Sequence, residues 1–440
     1  MNTQLRTQDR HTTGGRQTCG DSGLRNNSNR LFRFAAFFII SELCVLSPEL
    51  APRAWAALSI KVVGNKLVDG SSQTVRLLGV NRMSTEYACI GGWGFFHGPS
   101  DAASVQAIKS WNVNAYRMPL NEDCWLDING VPSGYGGAKY QNAMSDYITL
   151  LHQAGIYVIL DLQWNAPGST QATSIAYMAD RDHSLDFWTS VANFFKNDPA
   201  VIFDLFNEPH DISDACWRDG CTTPGGWQAV GMQTMINTIR ATGAKQPIMV
   251  SANGWGNGTM GTAYLNYKPS DPLNSLIASV HIYKGYSNCL DPTCWNPSLQ
   301  PIALTMPLVS GEMGETDCAH AWIDTYMNWL DANGAGYLGW TWTAGNNCGG
   351  DPDLITDYTG TPTPFGVGLR DHLLALPPPP ANRCDLNGDG SVNVTDLQSQ
   401  VNGILANSTS TTYDINKDNV VNILDAQVLT NVILGTRSCP

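Results

Sequence analysis

The chain has 440 residues, enough for one large domain with a small one beside it, and its 43% hydrophobic content supplies an ample core. A net charge of −13 excludes nucleic acid as partner, since phosphate binding needs clustered Lys and Arg, and leaves a neutral substrate open. Charged residues are sparse at 14%, while 14 Trp and 15 Tyr supply flat rings that can stack on sugar faces, although most of them are expected in the core.

Residues 1–56 read as a signal peptide region. Arg25, Arg30 and Arg33 precede the apolar stretch Phe34–Leu46, and Ala54-Trp55-Ala56 matches a small-residue cleavage site. The polar region before it is long and Glu42 interrupts the stretch, which points to a start codon further downstream. An uncleaved membrane anchor is the rival reading; the stretch is short for a bilayer, so membrane contact is expected only through this region and the mature chain outside the cell. Cysteine usage fits export. With Cys19 and Cys44 removed with the signal, the remaining cysteines have natural neighbours: Cys89 with Cys124, Cys216 with Cys221, Cys289 with Cys294, Cys318 with Cys348, Cys384 with Cys439. Proximity suggests these pairs without fixing connectivity. CWRDGC and CLDPTC could instead hold metal, but neither has the two-residue spacing or nearby His of a zinc site.

After the signal, apolar β-rich runs alternate with helical patterns. The strand candidates are VRLLGV (75–80), VNAYRM (113–118), IYVILDL (156–162), VIFDLF (201–206), PIMVS (247–251), IASVHIY (277–283), PLVSG (307–311) and GYLGWTW (337–343). Helical patterns between them include 101–111, 182–196 and 320–332. Unbroken apolar strands separated by helices indicate a parallel sheet covered on both faces. Eight such units predict an α/β fold, a (β/α)8 TIM barrel over 57–376, ahead of a doubly wound open sheet, which would not need eight repeats. Pro377–Pro380 open a Pro-rich linker, 377–382, expected to be extended and semi-rigid. The segment 383–440 carries an internal repeat: CDLNGDGSVNVTDLQ from Cys384 and YDINKDNVVNILDAQ from Tyr413.

Two glutamates end apolar runs: Glu208 in VIFDLFNEPH and Glu312 in PLVSGEMGE. A carboxylate just past a buried strand is well placed for chemistry and poorly placed for packing. An acid and a nucleophile facing one substrate is the arrangement glycoside hydrolysis needs. VIFDLFNEPH, VHIY, VSGEMGE and YLGWTW, in this order at barrel spacing, resemble family 5 glycoside hydrolases of the cellulase type, and the resemblance spans about residues 57–376. It implies Glu208 as general acid/base and Glu312 as nucleophile of a retaining enzyme that needs no cofactor for catalysis. Asn207, beside the acid, is then placed to hold the sugar 2-hydroxyl. Arg117 resembles the family arginine that keeps the nucleophile ionised, Tyr283 the tyrosine that donates to it, and His281 a histidine lining the substrate site.

Trp340 and Trp342 alternate on the last strand, so both are expected on one face, with Trp342 favoured as the floor under the reactive sugar. Trp164 and Trp255, just past the third and fifth strands, are weaker platform candidates, as apt for core or rim packing. One departure from the family pattern stands at Gln163: relatives read LDLHW where this chain has LDLQW. Glutamine can bond a sugar hydroxyl but cannot titrate, so altered affinity, pH response or activity is expected.

In the C-terminal repeat, Asp385, Asn387, Asp389, Gly390, Asn393 and Asp396 fall at the side-chain and turn positions of a calcium loop, with the Ser391 carbonyl as main-chain ligand. The second copy offers Asp414, Asn416, Asp418, Asn422 and Asp425, with the Val420 carbonyl, and has Asn419 where the first has Gly. Asp at the last loop position, two loops and a short helix after each resemble a dockerin, a small all-α module. The resemblance implies two Ca2+ sites and docking to a cohesin-like receptor; a calcium-stabilised appendage without a partner is the plainer alternative. The expectation for the whole chain is a secreted endo-β-1,4-glucanase acting on cellulose or a related β-glucan. The alternatives are another β-glycan as substrate (mannan, xyloglucan or mixed-linkage glucan) and a catalytically weakened glycan-binding protein.

Overall fold

Strands apolar on both faces leave no side for water, and this chain buries them by closing the sheet on itself. The computed structural model describes residues 58–345, 348, 352–377, 383–387, 392–434, 437 and 439. The predicted signal region, with Cys19 and Cys44, and most of the Pro-rich linker lie outside the described residues. Three short strands come first, β1 (Ile60–Val63), β2 (Lys66–Asp69) and β3 (Thr74–Val75), paired antiparallel. The barrel follows: β4 (Leu78–Asn81), β5 (Ala115–Asn121), β6 (Tyr157–Trp164), β7 (Val201–Asp204), β8 (Ile248–Ser251), β9 (Leu276–Lys284), β10 (Leu308–Glu315) and β11 (Gly336–Gly339). All neighbours are parallel, and β11 closes onto β4.

The helices form where the sequence patterns predict them. The first is Ala102–Lys109, with Asp101 as N-cap, its carboxylate accepting from Ser104 N. Ser184–Phe195 and Ala321–Ala332 fill the other two quoted patterns. Several strand limits differ from expectation: β5 runs on to Asn121, β7 stops at Asp204, and β10 runs on to Glu315, so that Glu312 lies within its strand and not just past it. Val75 belongs to the small antiparallel sheet, not to the first barrel strand, which starts at Leu78. The last strand ends at Gly339 rather than running through Trp342. Among the described residues no helix is long and apolar enough to cross a membrane.

Period-two alternation stacks the barrel interior in layers. Ala115, Ile159, Ile202, Met249, Ile277, Val309 and Leu338 form an apolar layer, closed below by Ile60 and Leu67 of the small sheet. Two residues further along each strand the same inward rows turn polar: Arg117 after Ala115, Asp161 and Gln163 after Ile159, Asp204 after Ile202, and Ser279, His281 and Tyr283 after Ile277. The interior is therefore dry at the bottom and charged at the C-terminal mouth. The five cysteine pairs expected from proximity are all disulfides.

In the C-terminal segment, helices Val394–Leu405 and Ile423–Ile433 pack around Cys384, Ile415, Val428, Leu429 and Val432, a small core tied by the Cys384–Cys439 bridge.

Candidate active site

Glu208 follows β7 and Glu312 lies in β10, and the barrel brings both to its mouth. His281, on β9 between those strands, joins them: Nδ1 is 3.0 Å from Glu208 Oε1 and 3.6 Å from Glu312 Oε2. One oxygen of each carboxylate and a ring nitrogen of His281 lie within 4.8 Å of one another. This imidazole and two carboxylates could also share a divalent metal ion, and are the one such group of three among the described residues. Glu312 is aimed by a register shift in β10 between Ser310 and Glu312. Gly311, in that shift, has no Cβ because one would sit 2.4 Å from Ser279 Oγ and 3.0 Å from His281 Nε2.

Arg117 is the hub beneath the pair. Its Nη1 donates to Glu312 Oε1 (2.7 Å) and Asn81 Oδ1 (3.2 Å), Nε to Asp204 Oδ2 (2.9 Å), and Nη2 to Asn207 Oδ1 (3.0 Å). Nη2 also lies 3.1 Å from Asp161 Oδ1, in ion-pair range but off hydrogen-bond alignment. One guanidinium thus faces three carboxylates with almost no solvent. Burial works against the Arg117 charge, but Asp161, Asp204 and Glu312 outweigh it and hold its pKa above the ordinary value. Burial pushes the Asp161 carboxyl well above its usual range despite Arg117, with Asp204 and Glu312 adding to the rise, and Asp204 is also raised. Tyr283 OH donates to Glu312 Oε2 at 2.5 Å; burial first, then the charges of Glu312 and Glu208, keep that phenol protonated well above its ordinary pKa.

Several buried atoms in this region have no hydrogen-bond partner within the protein, among them Asn207 Nδ2, Gln163 Oε1, His281 Nε2 and Ser279 Oγ. A donor and an acceptor left open beside two carboxylates suit a polyhydroxylated ligand.

A model of the family "Cellulase (glycosyl hydrolase family 5)" matches residues 68–346. The chain belongs to glycosyl hydrolase family 5. Among curated relatives of this family 5 chain, a mannan endo-1,4-beta-mannosidase from Streptomyces lividans is 25% identical over 359 residues, 76% of this chain and 82% of the relative. Endoglucanase 1 from a Robillarda species is 27% identical over 346 residues, 67% and 84% of the two chains. The catalytic domain of Thermobifida fusca endoglucanase Cel5A superposes with a TM-score of 0.52 at 17% identity, covering 72% of this chain and 97% of that one, a likeness of fold. A second model, the dockerin type I domain, matches residues 383–434, so the family 5 barrel carries a dockerin domain behind it.

Most residues singled out from the sequence gather at this mouth: Glu208, Glu312, Arg117, Asn207, His281 and Tyr283 in one bonded network, with Gln163 and Trp164 at the end of β6. Trp342 does not. It is 0% exposed and packs edge-on against Trp111 at 4.8 Å, so it belongs to the core and cannot stack on a sugar. The strand stops at Gly339, so the alternation that put the two tryptophans on one face does not continue. Trp340 is half-buried, its amide bonded to Met313 O next to the Glu312 strand position, and is the ring of the two that can serve as a floor. Trp255 is 46% exposed and lies flat on His210, ring centroids 3.7 Å apart.

The sequence reading missed Asn81, Glu86, Asp161 and Asp204. Asn81 Nδ2 donates to Gly311 O (2.9 Å) and steadies the strand carrying Glu312. Asp161 and Asp204 had a signal, an acidic residue inside an unbroken apolar strand (ILDLQ, FDLF), which calls for a buried cation or a retained proton to balance it. Glu86, in the loop after β4, had none. Its Oε2 accepts from Ser84 N (2.7 Å), and burial raises its pKa to about 8, against its backbone hydrogen bonds, with Glu312 adding to the rise.

In the dockerin domain the second loop is drawn together by its own acids. Asp414 accepts from Asp418 N (3.1 Å) and Asn419 N (3.0 Å), Asp418 from Val420 N (2.8 Å), and Asp425 from Asn416 N (3.0 Å) and Asn422 N (2.8 Å). Asn419 takes φ +66°, the conformation Gly would supply. In the first loop Asp396 accepts from Leu386 N and Asn387 N, while Asp389 and Ser391 lie outside the described residues. Asn393 and Asn422 have a role the sequence did not reveal: each caps its helix, with Asp396 and Asp425 closing the capping boxes. The donors are all hard oxygens with several carboxylates, a set that fits Ca2+.

Proposed function

We propose that this chain is a secreted, retaining endo-β-1,4-glucanase whose dockerin domain binds two Ca2+ ions and attaches the enzyme to a cohesin-like receptor. The observation that carries the catalytic part is the approach of the Glu208 and Glu312 carboxylates to within 4.8 Å, across His281 and above Arg117. A retaining pair needs carboxyl groups about 5–5.5 Å apart, whereas an inverting pair leaves room for a water between them. In the first step Glu312 attacks the anomeric carbon and the bond to the leaving oxygen breaks, that oxygen taking the proton of Glu208. In the second, water attacks the glycosyl ester and returns its proton to Glu208, freeing Glu312. Arg117 and Tyr283 fix the Glu312 oxygens for the attack, and the open Asn207 amide offers a bond to the sugar 2-hydroxyl. In the dockerin domain, Asp385, Asn387, Asp389, Asn393 and Asp396 with the Ser391 carbonyl would hold one Ca2+, and Asp414, Asn416, Asp418, Asn422 and Asp425 with the Val420 carbonyl the other.

A second substrate, mannan, is favoured by the match to the Streptomyces lividans mannosidase. Reducing-sugar release from carboxymethyl cellulose, mannan, xyloglucan and mixed-linkage glucan ranks the substrates, and NMR of the first-formed anomer reads the stereochemistry. Glu208→Gln and Glu312→Gln are expected to lower kcat by at least about a thousandfold with the fold retained. Near-native turnover in either variant, or an inverted product, overturns the reading.

A further inference from the structure

The two carboxyl groups at the mouth are fixed in different ways. Glu312 lies inside β10, where the parallel ladder holds its backbone, whereas Glu208 stands beyond Asp204, the end of β7, in a stretch without regular structure. A general acid must bring its proton within hydrogen-bond reach of the leaving oxygen, so the Glu208 backbone needs another anchor. Pro209 follows it, and a prolyl amide has no hydrogen to donate. The Glu208 carbonyl oxygen is therefore the one polar handle on that peptide.

His210 takes this handle. Its Nδ1 is 2.9 Å from Glu208 O. A carbonyl can only accept, so Nδ1 carries the hydrogen of this bond. The residue is 6% exposed and its ring is clamped. Trp255 lies flat on it, with centroids 3.7 Å and planes 15° apart, and Tyr177 sits beside it at 5.3 Å. His210 N donates to Tyr177 O (3.0 Å), so backbone and ring are both pinned.

The turn after β8 braces the acid from two sides. Trp255 N donates to Pro209 O (3.0 Å). Gly256 O accepts from His281 N (3.0 Å), and Asn257 Nδ2 donates to His281 O (3.0 Å). Gly256 allows this approach, because a Cβ there would lie 2.7 Å from His281 Cβ. The carboxyl and the carbonyl of Glu208 each meet a histidine, and one turn is bonded to the chain around both. We propose that His210 is a positioning residue for the general acid, acting through the Glu208 main-chain oxygen to hold the carboxyl where its proton meets the leaving oxygen. The inference rests on the retaining-hydrolase reading above and adds to it what orients the acid.

The test exploits a leaving group that needs no proton. Dinitrophenolate departs as an anion when Glu312 bonds to the anomeric carbon, whereas a sugar leaving group takes the proton of Glu208. Three proteins are compared: the parent, His210→Phe, which keeps a ring against Trp255 and loses the donor, and His210→Asn, which keeps a donor and loses the ring. On cellopentaose and mannopentaose, kcat/KM of His210→Phe is expected to fall roughly tenfold or more, through kcat, since displacing a reacting group by about 1 Å costs on the order of a hundredfold. On dinitrophenyl glycosides of cellobiose and mannobiose, kcat/KM should change less than about twofold, and His210→Asn should recover most of the pentasaccharide loss. If circular dichroism shows His210→Phe unfolded at the assay temperature, His210→Ala, which also lacks the donor, is read for the same split. Equal loss on both kinds of substrate, no loss on either, or a larger loss in His210→Asn than in His210→Phe overturns the positioning role while an active parent keeps the hydrolase. A parent that cleaves neither kind of substrate removes both readings.

Discussion

Glu86 is buried to 4% exposure and its carboxyl titrates near 8 instead of at the ordinary 4.5. At about 1.4 kcal/mol per pH unit, that difference corresponds to about 5 kcal/mol between the protonated and ionised folded states. The sign follows from a folded pKa above the unfolded one: the stabilising effect is complete below pH 4.5 and is lost as pH rises through 8. Glu86→Gln replaces the neutral acid with a neutral isostere that can still accept from Ser84 N, so it removes the titration and keeps the shape. Denaturant unfolding with disulfides intact, at pH 5 and pH 9, should show the two proteins alike at the lower pH. At the higher pH the variant should be more stable by several kcal/mol, about 5 at most. Glu122, raised by burial and by Asp180, titrates in both proteins and cancels in the difference, whereas Asp161, raised in part by the charge of Glu86, is relieved in the variant and does not cancel wholly. A stability gap that does not change between the two pH values refutes the argument, because Glu86 would then titrate as an ordinary surface acid.

Three further outcomes follow from named contacts. Trp342→Ala should cost about 3–5 kcal/mol of stability, read from the unfolding midpoint, whereas Trp340→Ala should leave stability nearly unchanged and lower turnover tenfold or more; the reverse pattern would restore the sequence assignment. Gln163→His puts a titratable ring where Gln163 Oε1 has no partner, beside the Arg117 carboxylates, and should lower turnover on a soluble β-glucan several-fold; a rise would show that glutamine weakens the site. Chelation with EDTA should expose residues 383–440 to protease and reduce helical circular dichroism while leaving hydrolysis largely intact; equal loss of both would contradict independent modules.

The sequence by itself determined the barrel, its strand order and the two glutamates. Apolar runs of strand length separated by helical periods admit few closed solutions, and a carboxylate at the end of such a run has nowhere to go but the mouth. It also determined the dockerin loops, since oxygen ligands at fixed spacing are written locally. What only the tertiary structure decided depends on neighbours far apart in the chain. Trp342 turned from platform to core because the strand ended at Gly339 and Trp111 was waiting behind it. Asp161 and Asp204 acquired their meaning from Arg117, one strand and two strands away respectively. Glu86 has its carboxyl pushed up to about 8 because the fold buries it. Periodicity fixes which way a side chain points; the charge and burial it meets there depend on what other segments bring to the same place.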